Sequence, residues 1–308
     1  MPVLEIVGLG YCSWDYLGIV SSVPPFDSPT VSMADFAASA GGPASTALAA
    51  AARLGASTGF IGTVGDDEPG CQIRAALSRD GVDLQRMRLE GGARTPVCLV
   101  LVEGQSGRRT ILCYRGTPSV ITLGEQDRTY VQSSRFLHLD GHHLAAAIVA
   151  ARWMHEIGGT VVLDANKPRE GLDQLLPWVN VLITNQYFPQ AFTGHERRED
   201  AANALMEMGP QIVVTTLGQD GCVCFTSDRN WHSPGFVVPV VDTTGAGDAF
   251  HGAFVFGMLQ GWAIERAAQL ANAVAALNCT ALGGRAALPT LQQALALVDA
   301  VRDRTTQS

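Results

Sequence analysis

The chain has 308 residues, 47% of them hydrophobic and 16% charged, with a formal net charge of −8. That much apolar material argues for one large or two small folded α/β units and against an extended disordered segment, and the absence of a lysine or arginine run leaves no electrostatic footprint for nucleic acid. With no apolar run of membrane-spanning length and no basic leader in "MPVLEIVGLG", no membrane partner is expected and a cytoplasmic location is the default.

Along the chain, "VLEIVGLG" reads as a buried parallel strand ending in glycines. Its Gly8-x-Gly10 lacks the third glycine and the helix of a dinucleotide fingerprint, and no phosphate-binding P-loop occurs, the only lysine being Lys167. "SSVPPFDSPTVSMADFAAS" breaks the pattern with prolines and turn residues, and "ASTALAAAARLG" resumes it as a helix. After the strand "STGFIGTVG", the segment "RTPVCLVLVEGQSGRRTILCYRG" alternates twice around "EGQSGR" and reads as a hairpin. The strands "RFLHLDG", "GTVVLDAN", "NVLITN" and "QIVVTTLG" then alternate with helical stretches such as "HHLAAAIVAARWMHEIG". Such alternation predicts a doubly wound, mainly parallel α/β sheet with ligands at the strand C-terminal ends, and the two interruptions predict a small antiparallel sheet set into one domain of residues 1–308, over about 12–35 and 94–115. The tail "DRTTQS" reads as frayed.

Seven cysteines (Cys12, Cys71, Cys98, Cys113, Cys222, Cys224 and Cys279) are scattered among apolar neighbours without metal-type spacing and read as reduced core residues. His138, His142 and His143 cluster around one turn; without a metal-binding frame they read as surface or pocket-lining residues.

The densest signal is "DTTGAGDAFHGAF". Gly245 and Gly247 permit a backbone that turns its N–H groups to one side just before a helix, a geometry that holds an oxyanion or phosphate. Phe250, Phe254 and Met258 at four-residue spacing fix the helix's buried face and leave Asp248 in its first turn. Taken alone, Asp248 reads first as a helix cap.

This stretch resembles, nearly letter for letter, the C-terminal signature of the ribokinase/PfkB family of carbohydrate kinases. "GGPASTALAAAARLGA" resembles the family's N-terminal sugar-binding signature, "GTVGDDEPG" the strand and loop after it, "TTLGQDG" its nucleotide-binding turn, and "ANAVAALNCTALGGRAALPT" its end, in the same order along most of the chain. The resemblance implies a ribokinase-like fold with a small β lid and transfer of phosphate from ATP, with Mg2+, to a sugar hydroxyl. Asp248 would be the base, and the N–H groups of Gly245, Ala246 and Gly247 the anion hole. It further implies sugar binding by Asp15, Gly41 and Gly42, with Thr46, Asp140 and Arg115 as additional candidates. ATP binding falls to Asn185, Thr216, Gly218, Gly221 and Asn272, either asparagine reading equally as a cap or turn residue. Asp242 and Thr244 match positions that hold a monovalent cation such as K+ in many relatives, although the closing loop "ALGGRAALP" differs in length. A homodimer through the β lid follows from the same analogy.

Two departures bear on substrate. Thr46 stands where the family has a sugar-contacting asparagine, and Phe188 where the N-x-x-E motif has its magnesium-organising glutamate. Ketohexokinase-like members also lack that glutamate, and "GGPAST" is similar to sulfofructose kinases, so a ketose or modified ketose is favoured. Among the hairpin arginines Arg94, Arg108, Arg109 and Arg115, one that reached the pocket would make the acceptor anionic. A nucleoside or sugar-phosphate kinase, or a catalytically silent sugar-binding protein on the same scaffold, remain as alternatives.

Overall fold

The computed structural model describes residues 4–306, and the last two residues of the tail expected to fray lie outside them. The strands are β1 (Ile6–Leu9), β2 (Ser13–Val20), β3 (Asp35–Gly41), β4 (Thr58–Gly65), β5 (Val82–Asp83), β6 (Met87–Glu90), β7 (Val97–Glu103), β8 (Arg109–Tyr114), β9 (Phe136–Leu139), β10 (Thr160–Ala165), β11 (Val181–Asn185), β12 (Ile212–Thr216), β13 (Cys222–Phe225) and β14 (Asn230–Ser233). The helices are α1 (Pro43–Leu54), α2 (Glu68–Arg79), α3 (Glu125–Gln132), α4 (Leu144–Glu156), α5 (Leu172–Leu175), α6 (Phe188–Thr193), α7 (Arg198–Glu207), α8 (Ala246–Leu259), α9 (Ile264–Asn278) and α10 (Leu291–Thr306).

The six apolar runs read as parallel strands become β1, β4, β9, β10, β11 and β12, all parallel in one sheet of order β14-β13-β12-β11-β10-β9-β1-β4-β5, with β6 paired to β4. They read as continuous rather than alternating because both faces are covered. One core lies beneath α1, α8 and α9, the other beneath α4 and α7. From β1 the chain moves to β4 on one side and later returns to β9 on the other, so strand order reverses between β1 and β9. The crevice beyond the C-terminal ends of these two strands is where an open α/β sheet binds ligands.

The second sheet has the order β3-β2-β7-β8. Its β2–β3 and β7–β8 pairs are antiparallel, as expected, and β2–β7 is parallel. The sheet extends past the expected boundary at residue 35, because β3 occupies Asp35–Gly41 and delivers the chain directly into α1.

The cysteine reading needs correction. Register on the hairpin sets Cys98 opposite Cys113, with Cα atoms 4.3 Å apart, and the two form a disulfide. Cys71 is exposed, whereas Cys12, Cys222, Cys224 and Cys279 are buried free thiols. Spacing alone hides the pair, since only the hairpin pairing makes residues 15 apart direct neighbours.

Candidate active site

Helix α8 begins on a turn that is held from both sides. Gly245 is its N-cap, at φ 72°, and a Cβ there would run into the backbone of Gly284. One oxygen of Asp242 accepts from the Thr244 amide (2.8 Å) and hydroxyl (2.7 Å), and the other accepts from the Gly283 amide (2.9 Å). Asn278 donates to the carbonyls of Thr244 (3.3 Å) and Gly284 (3.0 Å), so loop 242–245 and loop 283–284 form one unit. Both Asp242 oxygens and the Thr244 hydroxyl are thereby engaged by protein groups.

Asp248 lies in the first turn of α8 and does not cap it, for the helix has no side-chain cap hydrogen bond. Burial raises its carboxyl to about 6, against the lowering effect of Arg109; Asp140 and Asp15 add to the rise and Arg285 offsets part of it. Of the amides ahead of it, that of Ala246 turns back to the Thr243 carbonyl (3.3 Å). Among the described residues those of Gly245 and Gly247 have no backbone acceptor. Of the three amides expected to form an anion hole, the two glycine amides are thus the ones left without a backbone acceptor.

On the other side of the crevice Asp15, 6% exposed on β2, accepts a 2.6 Å hydrogen bond from the Ser13 hydroxyl. Burial pushes its carboxyl up to about 6 despite that hydrogen bond and Arg285. Gly41 packs directly on the Asp15 carboxylate, and Gly42 adopts φ 99° with its Cα against the Tyr11–Cys12 backbone, where a Cβ would meet Tyr11 O at 2.5 Å. Arg285, almost fully buried, ties this region together by donating to Ala40 O (2.8 Å) and pairing with Asp80 (3.2 Å).

Asp140 follows β9 and reaches the same crevice, yet its oxygens are already taken. Oδ2 accepts from the amides of Tyr11 (2.7 Å) and Ala44 (3.4 Å), and Oδ1 from the amide of His142 (3.0 Å). Burial alone would raise this carboxyl; the contacts of His142 and the Tyr11 amide outweigh it and hold the group at about 2. Asp140 is a clamp between β1, α1 and α4 rather than a free acceptor for sugar hydroxyls. Thr46 is 1% exposed and its hydroxyl has no partner, so it lies beneath the crevice floor instead of lining it.

Asn185, Thr216, Gly218, Gly221 and Asn272 line one cleft of about 470 Å³ that also receives Ala246, Gly247 and Arg109. Its apolar wall comes from Phe236, Val238 and Val240, in the proline-punctuated segment "SPGFVVPVV". Both asparagines serve the scaffold. The Asn185 side chain donates to Asn166 O (2.8 Å) and accepts from the amides of Tyr187 and Phe188 (3.0 Å each), and Asn272 donates to Ser233 O (3.0 Å) and Pro234 O (3.1 Å). Phe188, fully buried, stacks on Phe192 at 5.1 Å and so belongs to the core.

A match to the model of pfkB family carbohydrate kinases runs over residues 4–291. The chain belongs to this family. It is 31% identical to the ATP-dependent ribose-1-phosphate kinase of Halopiger xanaduensis, across 92% of this chain and 95% of that one. Among solved structures it is similar to a putative ribokinase from Agrobacterium tumefaciens (TM-score 0.88, 26% identity, 97% of this chain and 99% of that one). It is also similar to the ribokinase of Arabidopsis thaliana complexed with ribose and ATP (TM-score 0.83, 25% identity, 96% and 99%). As a pfkB kinase the chain is a phosphotransferase of the carbohydrate-kinase class.

Several residues of this kinase escaped the motifs. Asp164 on β10 accepts from Asn166 (2.6 Å), lies 3.5 Å from His251 Nε2, and keeps Oδ2 buried without a partner. Burial, then Asp248 and Asp140, raise its carboxyl well above the usual range. His138, read as surface or pocket-lining, is 1% exposed in the core against His251, and burial lowers it to about 4. Of the hairpin arginines, Arg109 donates to the Thr243 hydroxyl (2.7 Å) beside the anion turn, whereas Arg108 pairs outward with Glu103 and Arg94 lines an outer groove.

Proposed function

We propose that this chain transfers the γ-phosphoryl group of ATP to a hydroxyl of a sugar, a ketose or modified ketose being favoured. Asp248 acts as the base. The carrying observation is that its carboxylate is uncapped, partly buried and raised to about 6, in the first turn of a helix whose preceding glycine amides have no backbone acceptor. Such a carboxylate is mostly ionised at neutral pH and basic enough to take the hydroxyl proton. The Gly245 and Gly247 amides, the helix dipole and Arg109 would meet charge on the transferring phosphoryl oxygens.

The cleft lined by Thr216, Gly218 and Gly221 suits the nucleotide, with the adenine against the apolar wall; Asn185 and Asn272 would shape that cleft through the loops they hold. Asp164, whose buried Oδ2 lacks a partner, would be the carboxylate that helps hold Mg2+; when bound the ion would neutralise phosphate charge. Asp15 offers two acceptors to a vicinal diol, and Gly41 and Gly42 let the sugar approach the backbone. Arg115 would stand at the sugar's far end, with Asp140 and Thr46 supporting the floor. The small sheet carrying Asp15 would act as a lid and as the surface joining two copies.

Asp248→Asn tests the reading. The variant should retain ATP and sugar binding while kcat falls by roughly 10²–10⁴. Near-normal turnover would remove Asp248 from the base role. ADP release that stays flat across sugars, sugar phosphates, sulfosugars and nucleosides would favour a silent sugar-binding protein.

A further inference from the structure

The row of side chains that crosses the small sheet at Asp15 contains two sulfurs. Register places Ser39 of β3 against Asp15 of β2, Asp15 against Cys98 of β7, and Cys98 against Cys113 of β8. Residues directly opposite one another in a sheet share a face, so this row runs from the Asp15 carboxylate to the Cys98–Cys113 disulfide without a break. The two ends of the bond differ in access. Cys98 is 5% exposed and packs with Leu17, Val100 and Val102, whereas β8 is exposed at every residue, Cys113 included.

Strand β8 is an edge of its sheet and, among the described residues, gives no side chain to the apolar cluster beneath it. It is held by its ladder with β7, by the disulfide and by the hairpin tip. At the tip Gly107 O accepts from the Thr243 hydroxyl (3.0 Å), and Arg109 Nη1 donates to the same hydroxyl (2.7 Å). Thr243 stands in the turn that leads into α8. The hairpin thus borders Asp15 at Cys98 and the anion turn at Thr243, and the disulfide fixes the strand that joins these two contacts.

Resting on the kinase reading above for what the crevice binds, we propose that Cys98 and Cys113 form a redox-modifiable site that sets sugar affinity, the disulfide form binding sugar more tightly than the dithiol form. The co-reactant is a dithiol reductant. One of its thiolates attacks the exposed Cys113 Sγ, and the Cys98–Cys113 bond breaks with its electron pair leaving on Cys98 Sγ, which takes up a proton. The reductant's second thiol then gives its proton to solvent, attacks the mixed disulfide and displaces Cys113 Sγ, which is protonated in turn. Two electrons have passed to the protein, the reductant ends as a disulfide, and two cysteine thiols remain. An exposed disulfide is the labile kind, and this one is exposed at one end. Reduction frees the edge strand and leaves a separate thiol beside Asp15, so the lid is no longer fixed before sugar arrives.

Thiol alkylation with intact-mass readout provides the first test. The wild-type chain carries seven cysteines, and five should be alkylated before reduction and all seven after brief treatment of the native protein with dithiothreitol, the change reversing in oxidised glutathione. In an ADP-release assay with Mg-ATP and ribose, fructose or their phosphates, reduction should raise the KM for the acceptor by about fivefold or more, with a smaller change in the KM for ATP. By linkage, that acceptor should shift the dithiothreitol equilibrium toward the disulfide by the same factor. The double variant Cys98→Ser, Cys113→Ser should show the reduced form's KM and no redox response, and Cys71→Ser should respond as the wild type does. A bond that yields to dithiothreitol only after denaturation, a chain that forms no disulfide in oxidised glutathione, or two forms with one sugar KM would overturn the proposal. If no acceptor is turned over, the kinase reading fails by itself and limited proteolysis of the desalted forms decides the switch. Tryptic cleavage after Arg108 and Arg109 should then be about fivefold faster in the reduced chain, and equal rates refute control of the lid by the disulfide.

Discussion

Asp248 and Asp15 are both raised to about 6, and the same burial has opposite uses in the two. For Asp248, in the proposed role, it would yield a base close to neutrality. kcat/KM should fall tenfold per pH unit below about 6, and Arg109→Gln, which removes a charge favouring the carboxylate, should move that limb to higher pH. A pH profile of the two proteins under subsaturating sugar checks both parts. For Asp15 the shift is a cost to the fold. A carboxyl with a folded value near 6 and an unfolded value near 3.8 contributes its full stability below about 4 and loses it as pH rises through 6. Asp15→Asn should therefore raise stability by about 1–3 kcal/mol at pH 8, with the gain vanishing below pH 4, while sugar binding is lost. Chemical denaturation at the two pH values, beside a sugar titration, measures it.

The element that shapes the chemistry is the turn into α8, and its strength comes from a loop about forty residues later in the chain. Gly245→Ala would force a side chain into φ 72° and against Gly284, so a loss of about 1–3 kcal/mol is expected together with a fall in kcat larger than any change in the KM for ATP. Melting curves and steady-state kinetics separate the two effects. The turn itself was legible in the sequence because glycine spacing and the apolar helix face are local patterns, and the parallel strands were legible because burial on both faces leaves continuous apolar runs. What could not be read is whatever the strand order assembles. Asp164 on β10 and Arg285 in the loop after α9 reach the crevice from distant parts of the chain, Asp140 spends its oxygens on amides just after β1 and in α1, and Cys98 meets Cys113 only through hairpin register. Burial also decides meaning: Thr46 and Phe188 depart from the family pattern by letter, but both side chains sit inside the protein, so the departures act on packing before they act on ligands.

At the scale of the molecule, the small sheet has two unlike faces. Leu17, Cys98, Val100 and Val102 pack inward beside Asp15, while Tyr16, Phe36, Leu99, Leu112 and Tyr114 face out, Phe36, Leu99, Leu112 and Tyr114 each being exposed. Tyr16 stacks on Phe36 at 6.3 Å, and a groove of about 800 Å³ runs beside it toward Pro69 at the start of α2. Contiguous apolar surface of this kind is costly to leave in water and marks an interaction face. On the proposed pairing, a second copy of the same sheet would meet it under twofold symmetry, and a stable contact needs about 1,200–2,000 Å² buried in total. Because β2 presents Asp15 inward and Tyr16 outward on adjacent positions, pairing the outer faces would also steady the sugar-binding side. Introducing charge on neighbouring strands with Leu99→Glu and Leu112→Glu should give a monomer by sedimentation equilibrium and raise the KM for sugar several-fold more than the KM for ATP. A wild-type chain that sediments as a monomer at micromolar concentration would remove the pairing, and a monomeric variant with unchanged sugar KM would sever it from the lid.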